Sequence, residues 1–394
     1  MAAARAGDVH RARSLIHSWI EDEPSRQGDA WHPYPLATRA GNWLAALSLE
    51  PELVGGPLPD SLWQQLEYLR RNVEDDILGN HVIRNARALV LGGAAFGDAE
   101  LLERGRALLE RELPEQVLSD GGHYERSPVY HLVVLRDLLE VEPWADVAAF
   151  VERMRRFAAA LVRPDGKPWL FNDGTLDLAP ALELPAPPAG LSVFPETGYA
   201  VLRTDRLWLA FDCGPPSPPF LPAHAHADAL SFQLWVDGAP LVVDPGMPTY
   251  EAGAERDRYR GTRAHSTVAV DGDQFELWGA FRSGPLPQVG LLRAEPELLE
   301  GEVRFRGLRH LRRIAIDAAE LVVTDVVEGA GERELESSLP LASVADSSRI
   351  SSSGDAELEQ RAIAERLNVR EPAPALVQRL RARPPVELGW RVGL

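Results

Sequence analysis

The sequence is almost without cysteine and lysine, and no long apolar run interrupts it. Cys213 is the single cysteine, so an internal disulfide is impossible and nothing argues for an oxidising compartment. Lys167 is the single lysine; arginine carries the rest of the positive charge, a composition bias rather than a functional signal. With 41 basic against 59 acidic residues the net charge is −18, which excludes nucleic acid and anionic membrane surfaces as partners. No stretch is apolar for long enough to span a bilayer, and Met1 to Pro24 holds no apolar core of signal-peptide length. As it stands the sequence therefore reads as cytoplasmic, although a chain trimmed at its start for the periplasm would look the same. What remains is an ordinary globular composition, 45% hydrophobic and 25% charged, and 394 residues suffice for two or three domains.

The pattern of apolar residues changes once along the chain. Up to about residue 185 they recur at spacings of three and four, which predicts helices over 8–21, 35–49, 59–71, 75–96, 99–113, 127–141 and 145–162. Short Gly-, Pro- and Asp-bearing connectors favour antiparallel helix neighbours. A Pro-rich stretch from Pro180 to Pro195 reads as a linker. From Gly198 the period becomes two, with antiparallel strands expected over 200–203, 207–211, 301–306, 311–316 and 321–327, a polar loop over 347–359, and weakly patterned strands from 362 onward. The expectation is α+β and multidomain: a helical domain over 1–185 and an antiparallel β domain over 186–394.

The chemistry concentrates in His224-Ala-His226-Ala-Asp228-Ala-Leu-Ser-Phe, continuing through Val243-Asp244-Pro-Gly246 to Arg263-Ala-His265. If residues 224–228 are extended, His224, His226 and Asp228 share one face. A hairpin about Asp237-Gly238 would return Asp244 to the level of His226. Two imidazoles and a carboxylate converging from neighbouring segments suit zinc. His-x-His-x-Asp also occurs in zinc hydrolases, but there it runs on into another histidine, and residue 229 is Ala. In the helical half, Asn80 and His81 sit where asparagine is a poor helix former, and Asp120-Gly-Gly-His123-Tyr124-Glu125-Arg126-Ser-Pro-Val-Tyr130-His131 packs titratable groups into a glycine turn entering a helix. Phe171-Asn-Asp-Gly reads as a turn. His10, His17 and His310 are isolated and read as surface or packing residues.

Together these blocks resemble the heparinase II/III-like polysaccharide lyases. The resemblance is carried by Trp31-His-Pro-Tyr34 with Arg39 and Asn42-Trp43, Gly79-Asn80-His81, Asp120-Gly-Gly with Glu125 to His131, and Phe171-Asn-Asp. In the second half it is carried by His224 to Phe232, Val243-Asp244-Pro-Gly246, Tyr250, and Tyr259-Arg-Gly-Thr-Arg263-Ala-His265-Ser-Thr-Val. It implies an N-terminal incomplete α/α toroid followed by an antiparallel β-sandwich domain, here with a shorter helical half than in characterised lyases. It also implies a carbon–oxygen lyase (EC 4.2.2.-) that cleaves a uronic-acid-containing glycan by β-elimination. In that scheme Asn80 and His81 neutralise the substrate carboxylate, Tyr130 is the acid/base, His224 is the base or assists it, and Tyr250 assists. A tyrosine acting as base near neutrality needs positive charge beside it, such as Arg126 or a histidine. Arg126, Glu125, His131 and Arg263 are candidate substrate contacts. His226, Asp244 and His265 match the family's zinc site, with structural Zn2+ the expected cofactor and Asp228 orienting a ligand imidazole. Two other classes stay open at this stage: a zinc-dependent hydrolase, and a catalytically inactive glycan-binding protein of exopolysaccharide metabolism.

Overall fold

The computed structural model describes residues 6–22 and 28–394, and the chain divides into two compact units. One comprises Met1–Gln116 with Val134–Glu152, the other Val117–Val133 with Arg153–Leu394. This partition differs from a cut at residue 185: two stretches of the helical half belong with the strands.

The first unit is helical, with helices Val9–Asp22, Pro33–Leu49, Leu58–Arg71, Gly79–Phe96 and Ala99–Gln116, each within a few residues of its expected span. Gly79–Phe96 is its central helix, buried on nearly every face. It packs against Ala99–Gln116 so closely that a Cβ on Gly105 would lie 2.7 Å from Val90 and 2.9 Å from the Ala86 carbonyl. Arginine on this helix is balanced internally: Arg84 pairs with Asp137 at 2.7 Å, and Arg87 with Glu140. The segment expected as helix from residue 75 starts instead at Gly79, because Leu78 at φ 63° breaks the helical path.

The second unit is built on antiparallel sheets. Five strands in sequence order (Gly190–Phe194, Tyr199–Arg203, Leu207–Asp212, Phe232–Val236, Ala239–Val242) form one sheet. Strands Ile350–Ser352, Val386–Gly393, Glu320–Glu328, Leu308–Ile316, Leu298–Phe305 and Gln288–Glu295 form a second, in that spatial order. Ala356–Ile363, Glu371–Ala382, Arg333–Pro340 and Val268–Val270 form a third. Both faces of the five-stranded sheet are covered, so Tyr199–Arg203 and Phe232–Val236 are buried throughout rather than alternating. Leu202, Leu209, Phe211, Phe232 and Leu234 face the sandwich core. Tyr199, Val201, Ala210 and Trp235 face Phe157, Leu161, Trp169 and Phe171. That second layer explains the partition, since helical residues after 152 bury their apolar face on the sheet, at about 1.5–3 kcal/mol per large side chain.

Three sequence expectations fail in this unit. The stretch from Pro180 to Pro195, read as a linker, ends in strand Gly190–Phe194, which pairs with Tyr199–Arg203. The polar stretch 347–359 contains strand Ile350–Ser352 and the start of Ala356–Ile363, and strand pairing overrides its serine-rich composition. Residues 224–230 are not a strand but an irregular loop. Its backbone hydrogen bonds go to scattered partners, with His226 N–H donating to Asn172 Oδ1, Ala227 N–H to the Arg260 carbonyl and Ala229 N–H to Gln274 Oε1. The hairpin about Asp237-Gly238 forms as expected, with positive φ at both residues.

Candidate functional site

In the second unit the glycine turn is built around Asp120, whose carboxylate accepts the Thr197 N–H and hydroxyl, both at 2.7 Å, and the Gly122 N–H at 3.1 Å. A Cβ on Gly122 would fall 1.8 Å from Thr197 Oγ1, so only glycine fits. The turn delivers Tyr130 to the first turn of the helix beginning at Pro128. There its ring stacks on the imidazole of His224, with centroids 3.9 Å apart and planes 24° apart. Both residues are nearly buried.

Asp173 is the hub beneath this pair and is fully buried. Its Oδ2 accepts His224 Nδ1 at 3.0 Å, and its Oδ1 accepts His226 Nε2 at 3.0 Å. The Arg256 guanidinium, itself fully buried, binds both oxygens at 2.9 and 2.7 Å. Burial alone would raise the Asp173 carboxyl, but the two imidazole bonds and Arg256 outweigh it and hold the group well below the usual carboxylate range. A carboxylate that accepts from Nδ1 fixes the tautomer of His224 and frees Nε2 for proton transfer. That nitrogen faces Glu125 Oε2 at 3.5 Å. Phe281, half exposed, lies edge-on to His224 and stacks on Tyr250, while Arg256 sits over both aromatic rings.

Beside the hub, His226 Nδ1, Asp228 Oδ1 and His265 Nε2 are buried and have no hydrogen-bond partner among the described residues. These three residues are also the group whose donor atoms lie within 4.8 Å of one another. Two imidazole nitrogens and a carboxylate oxygen, desolvated and unpartnered, are the donor set zinc takes, so the residues present fit that ion. Burial holds the Asp228 carboxyl up at about 6 and His226 down at about 4, because desolvation disfavours the charged form of each. The two aspartates exchange the parts expected of them: Asp228 joins the cluster, whereas Asp244 Oδ2 accepts His265 Nδ1 at 2.9 Å and braces that ring. The reason lies in the loop geometry, since Asn172 N–H holds the other Asp228 oxygen at 3.3 Å and leaves Oδ1 facing the histidines.

The other expected substrate contacts are placed as follows. His131 is fully buried, its Nδ1 accepting the His123 N–H at 3.2 Å and its Nε2 donating to the Met154 carbonyl at 3.0 Å, so no ring nitrogen is left for a ligand. Arg126 donates to the carbonyls of Tyr124 and Glu196 at 2.9 and 3.2 Å and ties the turn together. Arg263 is exposed and pairs with Glu336 at 3.4 Å. His310, expected at the surface or in packing, is buried and bonds Asp325 at 2.7 Å. Arg312 holds Asp325 through two nitrogens and reaches the carbonyls of Leu230 and Ser266, which flank the histidine cluster. Asn172 and Asp173 entered the sequence reading only as a turn and as one block of the family resemblance, with no role given to either, and Arg256 was not singled out. The only local sign was the Asn-Asp turn itself, with Asn172 at φ 56°.

In the first unit, Asn80 and His81 occupy the opening turn of helix Gly79–Phe96, Asn80 buried and His81 partly open. His81 stacks on Tyr34 at 4.1 Å.

Burial pushes His123 down to about 4 and His131 down to about 3. The unfolded chain therefore binds protons below about pH 6.5 that the folded chain refuses, and stability rises with pH across that window. Urea midpoints should fall steadily from pH 6.5 to 4. His131→Asn should be less stable at pH 7 yet show a shallower decline, and an unchanged slope would contradict the assignment.

Residues 17–176 match the family described as "Heparinase II/III N-terminus", and residues 186–390 match "Heparinase II/III-like, C-terminal". FtsZ-localized protein C of Caulobacter vibrioides is 25% identical over 81% of this chain and 61% of its own. A heparin-sulfate lyase of Bacteroides stercoris is 26% identical over 68% of this chain and 47% of its own. The chain thus spans only about half to three-fifths of these curated relatives. Among solved structures, that of heparinase III superposes with a TM-score of 0.77 at 16% identity, covering 98% of this chain and 73% of the other. The heparan sulfate lyase HepC of Pedobacter heparinus gives 0.64 at 19%, covering 100% and 74%. The fold is accordingly a helical, toroid-type N-terminal region followed by an antiparallel β-sandwich region. By both matches, which between them take in most of its length, the chain belongs to the heparinase II/III-like family.

Proposed function

We propose that the protein is a polysaccharide lyase that cleaves a uronic-acid-containing glycan by β-elimination. The observation that carries this reading is the stacked Tyr130–His224 pair with His224 anchored on Asp173. The C5 proton of a uronate is weakly acidic while its carboxylate is charged, so the reaction needs a neutralising donor, a base and an acid. Asn80 and His81 take the first task. Asp173 keeps a proton on His224 Nδ1, so His224 Nε2 accepts the C5 proton. The electron pair forms the C4–C5 double bond, the C4–O bond breaks, and Tyr130 passes its phenolic proton to the departing oxygen. Solvent then restores both groups. Exposed Phe281, with Tyr250 behind it, offers a sugar ring an apolar wall beside His224. Heparin-sulfate lyases among the relatives support the polyanionic substrate class. The test is growth of the ultraviolet band of a 4,5-unsaturated uronide across a panel of heparan, chondroitin, alginate and bacterial uronide polymers. No growth with any of them would count against the reading.

A second reading, a glycan-binding protein without turnover, is favoured by one finding: a relative matched over 81% of the chain is named for localisation with FtsZ rather than for catalysis. Oligosaccharide binding with no product would support it.

Zinc is proposed at His226, Asp228 and His265, where it would lock the loop 224–230 to the segment bearing His265 and supply no proton chemistry. Elemental analysis should find one ion per chain. Asp228→Ala should lose it, whereas Asp244→Ala should weaken it by about 10–100-fold through the loosened His265 ring. The reverse order would restore Asp244 as the ligand.

A further inference from the structure

In the first unit His81 belongs to a cluster whose other members the scheme above does not use. Glu74 is almost fully buried, in the loop leading to Gly79. Its Oε1 lies 3.1 Å from Nδ1 of His81 and 3.2 Å from Nδ1 of His32. Its Oε2 accepts Asn85 Nδ2 at 3.2 Å, and Asn85 Oδ1 accepts the Glu74 N–H at 3.1 Å. Asn85 stands one helical turn beyond His81, so the helix that presents the imidazole also clasps the carboxylate beneath it. Tyr34 covers one face of the His81 ring, and Arg84 lies over Tyr34. The histidines remain open, with side chains 52% exposed at His32 and 29% at His81. This is no metal cluster: among the described residues, donor atoms converge within 4.8 Å only at His226, Asp228 and His265.

We infer that Glu74 is a positioning residue that keeps the Nδ1 protons of His32 and His81 in place, so that both imidazoles offer Nε2 to one anionic sugar group. The inference rests on the reading of His81 as a donor to the substrate carboxylate, and it adds His32 as a second donor. An ionised carboxylate only accepts, so the His81 Nδ1 bonded to it carries hydrogen, and the same anion at ion-pair distance from His32 Nδ1, without a hydrogen bond, disfavours a lone pair on that nitrogen. The proton either ring gains on becoming cationic can then enter only at Nε2, where it makes an N–H donor with the charge-assisted strength a carboxylate ligand requires. Glu74, His32, Tyr34 and Arg84 are the charged or titratable groups around His81 in this cluster, and Glu74 is the carboxylate among them.

The test is long-range 1H–15N correlation on the full chain labelled with 15N-histidine at about pH 8, where imidazoles are neutral. His32→Gln and His81→Gln assign the two rings. The expected result is the Nδ1–H tautomer at both positions, against the Nε2–H form that free imidazole side chains prefer. Glu74→Leu, which leaves no acceptor at this position, should lose both Nδ1–H signatures. Adding D-glucuronate near pH 6.5 should shift both Nε2 resonances in the wild type and neither in Glu74→Leu. An Nε2–H tautomer at His81 in the wild type would overturn the inference even if Glu74→Leu fails to fold, as would an unchanged pattern in a folded Glu74→Leu. These readouts need no turnover, so a protein that yields no unsaturated product could still show the tautomers, and an active lyase could lack them.

Discussion

Asp173→Asn is expected to be the most damaging single-atom change in the molecule. The carboxylate receives N–H donors from His224, His226 and Arg256, and an amide must turn its own N–H2 toward at least one of them. Arg256 is then a buried guanidinium without its counter-ion, a loss of about 3–5 kcal/mol for a broken buried pair. The effect on rate is separable from this. With Asp173 replaced, His224 is free to take the other tautomer, and turnover per folded molecule should fall on the order of 10²–10⁴-fold. Urea unfolding alongside initial rates, measured where the variant is still folded, distinguishes the two. A destabilised variant with wild-type turnover per folded chain would show Asp173 to be a strut alone.

Tyr130→Phe is the second large effect, and its signature is the opposite. The substitution keeps the ring that stacks on His224 and removes only the hydroxyl, so the unfolding midpoint should move little. The elimination loses its acid, and kcat should drop about 10²–10⁴-fold with a much smaller change in KM. A zinc hydrolase working through His226, Asp228 and His265 would barely notice the missing hydroxyl. A near-silent Tyr130→Phe in an active enzyme would therefore transfer the chemistry to the histidine cluster.

The features that were legible in the sequence are those whose signals are local. Helix periodicity placed Gly79–Phe96 and Pro128–Val141 to within a few residues, and with them Asn80, His81 and Tyr130. The Asp237-Gly238 turn placed its hairpin for the same reason. The role of Asp173 and the presence of Arg256 were not legible, because a carboxylate 51 residues from His224 and 83 from Arg256 leaves no trace in the spacing of either neighbour. That Asp228 rather than Asp244 lies with the unpartnered histidine nitrogens has a related cause. Alternation along an assumed strand gives the face of a side chain, but residues 224–230 are held by Asn172, Arg260 and Gln274 in an irregular loop, and that loop decides which oxygen is left unpartnered. Arg126 and His131 looked chemical in a turn dense with titratable groups, yet their partners are backbone carbonyls and an N–H that only tertiary packing supplies.

The central claim is that the glycan bond is broken by elimination rather than by addition of water. Digesting a uronide polymer in 18O-labelled water and weighing the products tests this directly. The account predicts new non-reducing ends that absorb in the ultraviolet and products that take up no 18O during cleavage. Saturated products carrying one 18O for each bond broken would contradict it.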